Sequence, residues 1–293
     1  MTGVTGNTVQ HKVPNSSGTE PPALKAPANA ADCHIHIYDP RFAPPVAKPL
    51  NGTVADYRLL QKRIGVTRVV IVQPRNYATD NSVTLDAIAQ LGIDYARGVG
   101  VLRPDVTDSE LHRLNDGGIR GIRFTVGDPR TAVVSIDMIE PLAKRIAAYG
   151  WHVQLNMDAQ QIIDNADMLK RLPVQIVFDH MGKPPLPDGV AHASHKIIRS
   201  LLDAGRAWVK ISGVYIVSRI GAPAYADATP IAQAFVRAAP ERVVWGSDWP
   251  HPGPKVHPDD AVLFDLLAEW APEEVTRNRI LVANPQALYG FKP

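Results

Sequence analysis

Two histidines two positions apart, His34 and His36 in ADCHIHIYD, and one distant aspartate, Asp248 in VVWGSDWPHP, are the side chains best placed for chemistry. Each closes a short apolar, β-branched run just where it turns polar. Side chains at i and i+2 of a strand share a face, so the two imidazoles aim at one spot. A carboxylate from a remote strand reaches that spot only if the sheet closes on itself. His180, in FDHMGKP, ends a third such run. Ionisable groups are rarely buried unless paired, so four of them at three strand ends imply a catalytic mouth. Imidazole donors can stabilise an oxyanion, and a carboxylate can activate water. The chemistry expected is attack of an Asp248-activated water on a carbonyl polarised by His34, His36 and His180.

Other strand ends supply binding groups: Gln73 and Arg75 after the second run, Arg123 on the fourth, Asn156 on the fifth. The seventh offers Lys210 and Ser212, with Tyr215 and Arg219 just beyond, and the eighth adds Trp249 and His251. Arg123, with Arg219 or Arg75, would clamp a substrate carboxylate bidentately. The alternative for Arg123 is a structural ion pair across the mouth. Met181 and Trp249 are expected as walls. His112, His192 and His195 fall on solvated helix faces, and His152 is structural at the opposite end. Cys33 alternates with the mouth-facing histidines, so it is expected to face the helix layer as a small core residue.

The elements that must position these groups recur at even spacing. Strands are expected at 33–37, 68–73, 95–101, 119–124, 151–156, 174–179, 207–212 and 242–247. Helical patterns fill 54–64, 81–91, 108–116, 135–149, 159–170, 192–204, 226–239 and 258–270, with a last one over 272–289. Eight strand–helix units argue for parallel pairing through right-handed crossovers, hence an α/β fold of the (β/α)8 TIM-barrel type; a doubly wound open sheet is the competing solution. Helix-to-strand connections are terse and glycine-bearing, as at Gly65 and Gly92. Strand-to-helix connections are long and rich in Pro, His and Asp: 38–53, 181–191, 213–225 and 248–257. Barrels keep their chemistry on the face where strands end.

The 293 residues, 45% hydrophobic, suffice for one large core. A single barrel domain is expected over 31–293, preceded by a flexible or surface-draped tail over 1–30 without the apolar stretch of a signal peptide. Net charge is only +2 with no basic run, so neither nucleic acid nor a membrane surface is an expected partner. No apolar stretch approaches the ~20 residues of a membrane span. The single cysteine suits a reducing cytoplasm. A monomer or homodimer is expected.

ADCHIHIYD, RVVIVQPRNYATDN, GIRGIRF, WHVQLN, VFDHMGKP, WVKISG and VVWGSDWPHP, in this order, resemble the amidohydrolase superfamily, in particular its branch of 2-pyrone-4,6-dicarboxylate and sugar-acid lactonases. The resemblance implies an amidohydrolase-like barrel that hydrolyses a carboxylated or polyhydroxylated lactone. It keeps a galactarolactone-type isomerase and a zinc-dependent aromatic-acid decarboxylase as alternatives; a non-catalytic barrel is a third reading. Relatives commonly bind zinc through the strand-1 histidines, a strand-4 Lys or Glu, strand-5 and strand-6 histidines and the strand-8 Asp. Here the strand-4 position is Arg123 and the strand-5 position Asn156, so a two-metal site lacks its bridge and one ligand. Arg123 cannot deprotonate to ligate. His34, His36, His180 and Asp248 could hold one zinc, but no cofactor is expected to be required. The pyrone branch is expected to carry Tyr where Asn156 stands, which favours a polyhydroxylated ring over a flat pyrone.

Overall fold

A computed structural model describes residues 12–43, 50–128 and 130–293. Eight strands alternate with helices: β1 (Ala31–Ile35), α1 (Val54–Ile64), β2 (Arg68–Val72), α2 (Ser82–Leu91), β3 (Ala96–Gly100), α3 (Asp108–Asp116), β4 (Ile119–Thr125) and α4 (Ile139–Ile146). There follow β5 (His152–Asn156), α5 (Ala159–Asp164), α6 (Ala166–Arg171), β6 (Ile176–Phe178), α7 (Ala193–Asp203), β7 (Ala207–Ile211), α8 (Val214–Val217), α9 (Thr229–Ala238), β8 (Val243–Trp245) and α10 (Asp260–Trp270). Two short helices, α11 (Glu274–Asn278) and α12 (Asn284–Tyr289), joined by a π-helical turn, end the chain.

All neighbouring strands pair in parallel, in sequence order from β1 to β8. This is the (β/α)8 barrel. Its ring closes just past the strand ends. The Asp248 amide donates to the His34 carbonyl at 2.8 Å, and the His36 amide donates to the Trp249 carbonyl at 2.8 Å. Gly246 permits that approach, because a Cβ there would lie 2.6 Å from the His34 Cβ.

Helix ends follow the local chemistry of the sequence. Thr53 and Asp56 form a capping box that starts α1, and Gly65 in the left-handed region (φ 78°) stops it. The expected helix over 159–170 breaks at Asn165 into α5 and α6. Two apolar clusters result. The larger lies between strands and helices; the smaller fills the barrel, with Val70, Val72, Val99, Val177 and Val244 above Tyr289 and Phe291.

Cys33 belongs to the smaller cluster, which corrects the expectation that it faces the helices. Asp32 pairs with Val69 but Ile35 with Ile71. One extra residue in β1 makes a bulge, and Cys33 and His34 both turn inward. His195 is also corrected: it is buried, its ring 4.5 Å from that of Phe235. Of the expected tail, 1–11 lie outside the described residues. Residues 12–30 are draped on the barrel and pinned there, with Val13 buried and the Trp249 indole donating to the Pro14 carbonyl at 2.8 Å. Within the connection 38–53, positions 44–49 lie outside the described residues.

Candidate active site

β1, β6 and β8 bring their terminal side chains to one point. Asp248 Oδ1 lies 3.4 Å from His34 Nε2, 3.5 Å from His36 Nε2 and 4.0 Å from His180 Nε2. All four residues are almost fully buried. Two of them hold strained backbone: Asp248 has φ 67° and His180 φ 50°, a region costly for residues with a Cβ. Such strain persists where the surroundings over-determine it.

Each imidazole has its own partner. The Nδ1 of His36 lies 2.8 Å from the Val72 carbonyl, which can only accept, so Nδ1 carries a proton and Nε2 faces Asp248. His180 Nδ1 is 3.0 Å from the Ser212 hydroxyl. Gly213 makes room for that ring, since a Cβ there would lie 2.6 Å from Nδ1. His34 Nδ1 sits 3.5 Å from the Lys210 ammonium, in hydrogen-bond geometry, and 3.3 Å from Asp179 Oδ1. Lys210, which can only donate, would set the His34 proton on Nε2, facing Asp248, whereas the ionised Asp179, which can only accept, would set it on Nδ1.

Burial pushes His34 down, with Asp179 opposing, and burial likewise lowers His180, with Asp248 opposing. Both rings are therefore neutral at neutral pH. Burial alone would raise Asp248, but the surrounding imidazoles of His180, His36 and His34 outweigh it and hold its carboxyl far below the usual range. The Tyr215 hydroxyl donates to Asp248 Oδ2 at 2.5 Å.

Asp179, adjacent to His180, is the buried group that sequence reasoning missed. It accepts from Arg123 Nε at 2.9 Å and lies 3.9 Å from Lys210 Nζ. Strand alternation would set it opposite His180, but the left-handed turn at His180 and Met181 points both inward. Lys183 was also missed; its ammonium, largely buried, donates to the Asn156 side-chain oxygen. Burial lowers its pKa, against the pull of Asp179.

The remaining expected ligands separate. Arg123 makes its ion pair through Nε, and its two terminal nitrogens have no partner among the described residues. It lines a cleft with Gln73, Arg75 and Thr125. Arg75 is exposed and donates to the Thr131 hydroxyl at 2.6 Å. Gln73 is fully buried as a loop strut, donating to the Asp80 carbonyl at 2.7 Å and accepting from Thr84 at 2.6 Å. Its amide donors are thus turned away from any ligand. His251 is fully buried between Tyr215 and Asp260, not open to the mouth. Arg219 is exposed on the loop after α8, and its side chain meets none of the cluster among the described residues.

A metal fits the donor types and spacing. His34 Nε2 and Asp248 Oδ1 are buried without a hydrogen-bond partner, and with His36 Nε2 they could converge on one ion. Asp179, His34 and His180 form a second such group.

The family description "Amidohydrolase" matches residues 31–291. A 2-pyrone-4,6-dicarboxylate hydrolase of Comamonas testosteroni is 34% identical over 282 residues, covering 92% of each chain. A D-galactarolactone isomerase of Agrobacterium fabrum is 34% identical over 292 residues, covering 94% of this chain and 96% of its own. A crystal structure of an Agrobacterium tumefaciens protein without ligand superposes with a TM-score of 0.83 at 32% identity, covering 93% of this chain and 99% of that one.

Proposed function

The chain belongs to the amidohydrolase family, and on that premise we propose that it is a lactonase that opens a carboxylated or polyhydroxylated lactone by hydrolysis. The observation that carries this reading is the meeting of Asp248 Oδ1 with three imidazole Nε2 atoms at 3.4, 3.5 and 4.0 Å. With His36 neutral, the ionised carboxylate and the His36 Nε2 are two acceptors 3.5 Å apart. Together they suit the two hydrogens of an attacking water. That gives His36 a different task from the carbonyl-polarising one expected of it, because its Nδ1 proton is committed to Val72.

His34, with Lys210 donating into its Nδ1, and His180, with Ser212 donating into its own, present Nε2–H groups. These stabilise the carbonyl oxygen as it becomes tetrahedral, and removing one such donor typically costs ~10²–10³-fold in rate. Asp248 takes the water proton, a contribution of ~10²–10⁴-fold. The free terminal nitrogens of Arg123, with Arg75 across the cleft, hold a substrate carboxylate. Asn156 and Lys183 face the ring hydroxyls.

One zinc, bound by His34, His36 and Asp248 with His180 nearby, would supply Lewis-acid polarisation of the carbonyl. Turnover does not require it on this reading. Two carboxylates, Asp248 and Asp179, stand against three cations, Arg123, Lys210 and Lys183, so the site is already electropositive before any ion enters. The enzyme acts in the cytoplasm as a monomer or homodimer, on a small-molecule substrate.

The test is a pH-stat screen of aldonolactones, aldarolactones and pyrone dicarboxylates, with and without chelator, on the protein and its Asp248→Asn variant. Acid release that survives chelation and disappears in the variant supports the reading; no ring opening of any lactone overturns it. The similarity to a galactarolactone isomerase favours one second reading, in which a substrate hydroxyl replaces water. Product NMR separates the two, since ring-size exchange releases no acid.

A further inference from the structure

We propose that Tyr215, His251 and Asp260 form a positioning chain that fixes the orientation of the Asp248 carboxylate, with Asp260 as its anchor outside the mouth. The inference rests on the reading of Asp248 as the general base and deepens it.

The geometry runs outward in one line. Asp248 turns Oδ1 to the imidazoles and accepts the Tyr215 hydroxyl proton on Oδ2 at 2.5 Å. A phenol has a single proton to give, so the Tyr215 oxygen is left as an acceptor. His251 Nδ1 lies 3.0 Å from it. On the far side of the ring, His251 Nε2 lies 3.2 Å from Asp260 Oδ2. Both His251 and Asp260 are fully buried. Neither touches the mouth, and nothing in the hydrolytic step itself employs them.

Proton counting makes the chain directional. Three contacts need three protons: the Tyr215 hydroxyl proton, one on His251 Nδ1, and one shared between Nε2 and Asp260. The group that meets Asp248 at the inner end is an uncharged phenol. The chain therefore hands Asp248 a hydrogen bond without cancelling its charge. It also keeps Nδ1–H aimed at Tyr215, as a carboxylate behind a histidine generally does.

The backbone is committed to the same end. The His251 amide donates to the Asp248 carbonyl at 2.8 Å, and His251 is held at φ 58°, a conformation that a residue with a Cβ resists. Asp260 opens α10, where its amide donates to the Ser16 hydroxyl at 3.3 Å. The neighbouring Asp259 is paired with Arg63 at 2.6 Å. The anchor thus sits on a braced helix start. Without the chain, Asp248 can rotate about its Cβ–Cγ bond and lose its aim at the water, and small misplacements of reacting groups cost up to ~10²-fold.

The experiment is steady-state kinetics on a lactone that the wild-type protein opens. Tyr215→Phe and His251→Phe should each lower kcat by ~10–100-fold with KM within about twofold. The double variant should be no worse than either single, because both break one chain. His251→Asn should recover most of the rate, since its side-chain amide can donate where Nδ1 does. Asp260→Asn should likewise stay near wild type by donating to Nε2 and keeping the proton on Nδ1. Unchanged kcat in His251→Phe, or losses that multiply in the double variant, would overturn the proposal.

A substrate-free measurement keeps the two readings apart. A hydrogen bond as short as that of Tyr215 gives a far-downfield proton resonance, which should vanish in Tyr215→Phe and move in His251→Phe. If it stays in place in His251→Phe, the chain does not exist, whatever the enzyme's substrate. If no lactone is opened but the resonance moves, the lactonase reading fails and the chain stands.

Discussion

Replacing Asp179 with Asn removes one negative charge from between three basic groups while leaving the shape of the side chain unchanged. In the wild-type protein its carboxylate is fully buried, 2.9 Å from Arg123 Nε, 3.3 Å from His34 Nδ1 and 3.9 Å from Lys210 Nζ. Burial alone would raise its pKa, but Arg123 first, then His34 and Lys210, hold it well below the usual carboxylate range. The three neighbours respond differently to its loss. His34 is neutral and loses little. Lys210, which burial has already brought down to about 8, can shed its proton at pH 7 for ~1.4 kcal/mol, one unit of pKa. Arg123 cannot deprotonate and is left as an unpaired buried cation.

Removing one partner of a buried pair costs roughly 3–5 kcal/mol, and Arg123 carries most of it. Urea unfolding at pH 7 should show a loss in that range for Asp179→Asn. At pH 9, where Lys210 in the wild-type protein is largely neutral, the loss should shrink by about 1 kcal/mol. Adding Arg123→Met should return part of the stability, with a coupling above ~1.5 kcal/mol. A loss under ~1 kcal/mol, or one that is additive with Arg123→Met, would refute the view that these charges are desolvated and mutually dependent.

Burial, with the Lys210 ammonium second, pushes the fully buried His152 down to about 3. Below pH 6.5 the unfolded chain takes up a proton that the folded state refuses, so stability should fall with pH, by ~2.7 kcal/mol at pH 4.5; if His152→Gln declines as steeply over that range, His152 is not responsible. Gly213→Ala should drive its methyl into the His180 ring, 2.6 Å away at a φ of 57°, and lower kcat by at least ~10-fold; full activity would mean that the His180–Ser212 contact is dispensable. Arg75→Met should raise KM about tenfold for a carboxylated lactone, as for loss of a hydrogen bond to a charged group. It should leave an uncharged lactone unaffected, and equal effects on both would remove Arg75 from the carboxylate clamp.

Periodicity made the architecture legible. Alternating apolar residues flanked by Gly stops located α1 and α3 at their observed bounds, 54–64 and 108–116, and every strand within two residues at either end. The convergence of His34, His36, His180 and Asp248 could be read because strand ends of a closed barrel share one mouth. What could not be read departs from simple alternation. The bulge in β1 turns Cys33 inward beside His34, and nothing in ADCHIHIYD announces an extra residue. Asp179 escaped because parity assigns adjacent residues to opposite faces. His251 was expected at the substrate because it follows strand 8, yet its ring points back into the wall behind Tyr215.

These exceptions share a cause. Left-handed backbone at His180, Met181 and Lys183, and again at Asp248 and His251, lies just past the ends of β6 and β8, where the regular strand stops. A residue with a Cβ resists that region by about 1–2 kcal/mol, so regular structure would not choose it twice. At the end of β6 the strained turn brings Asp179 and His180 inward together, and at the end of β8 it aims Asp248 inward and sets His251 in the wall behind Tyr215. The first pair couples an imidazole cluster to Arg123 and Lys210; the second couples the carboxylate to Asp260. In this way two short strands of three residues each, Ile176–Phe178 and Val243–Trp245, supply both the clustered polar groups and the neighbours that hold them. Relaxing either turn to ordinary β geometry would keep the barrel and lose one member of each pair.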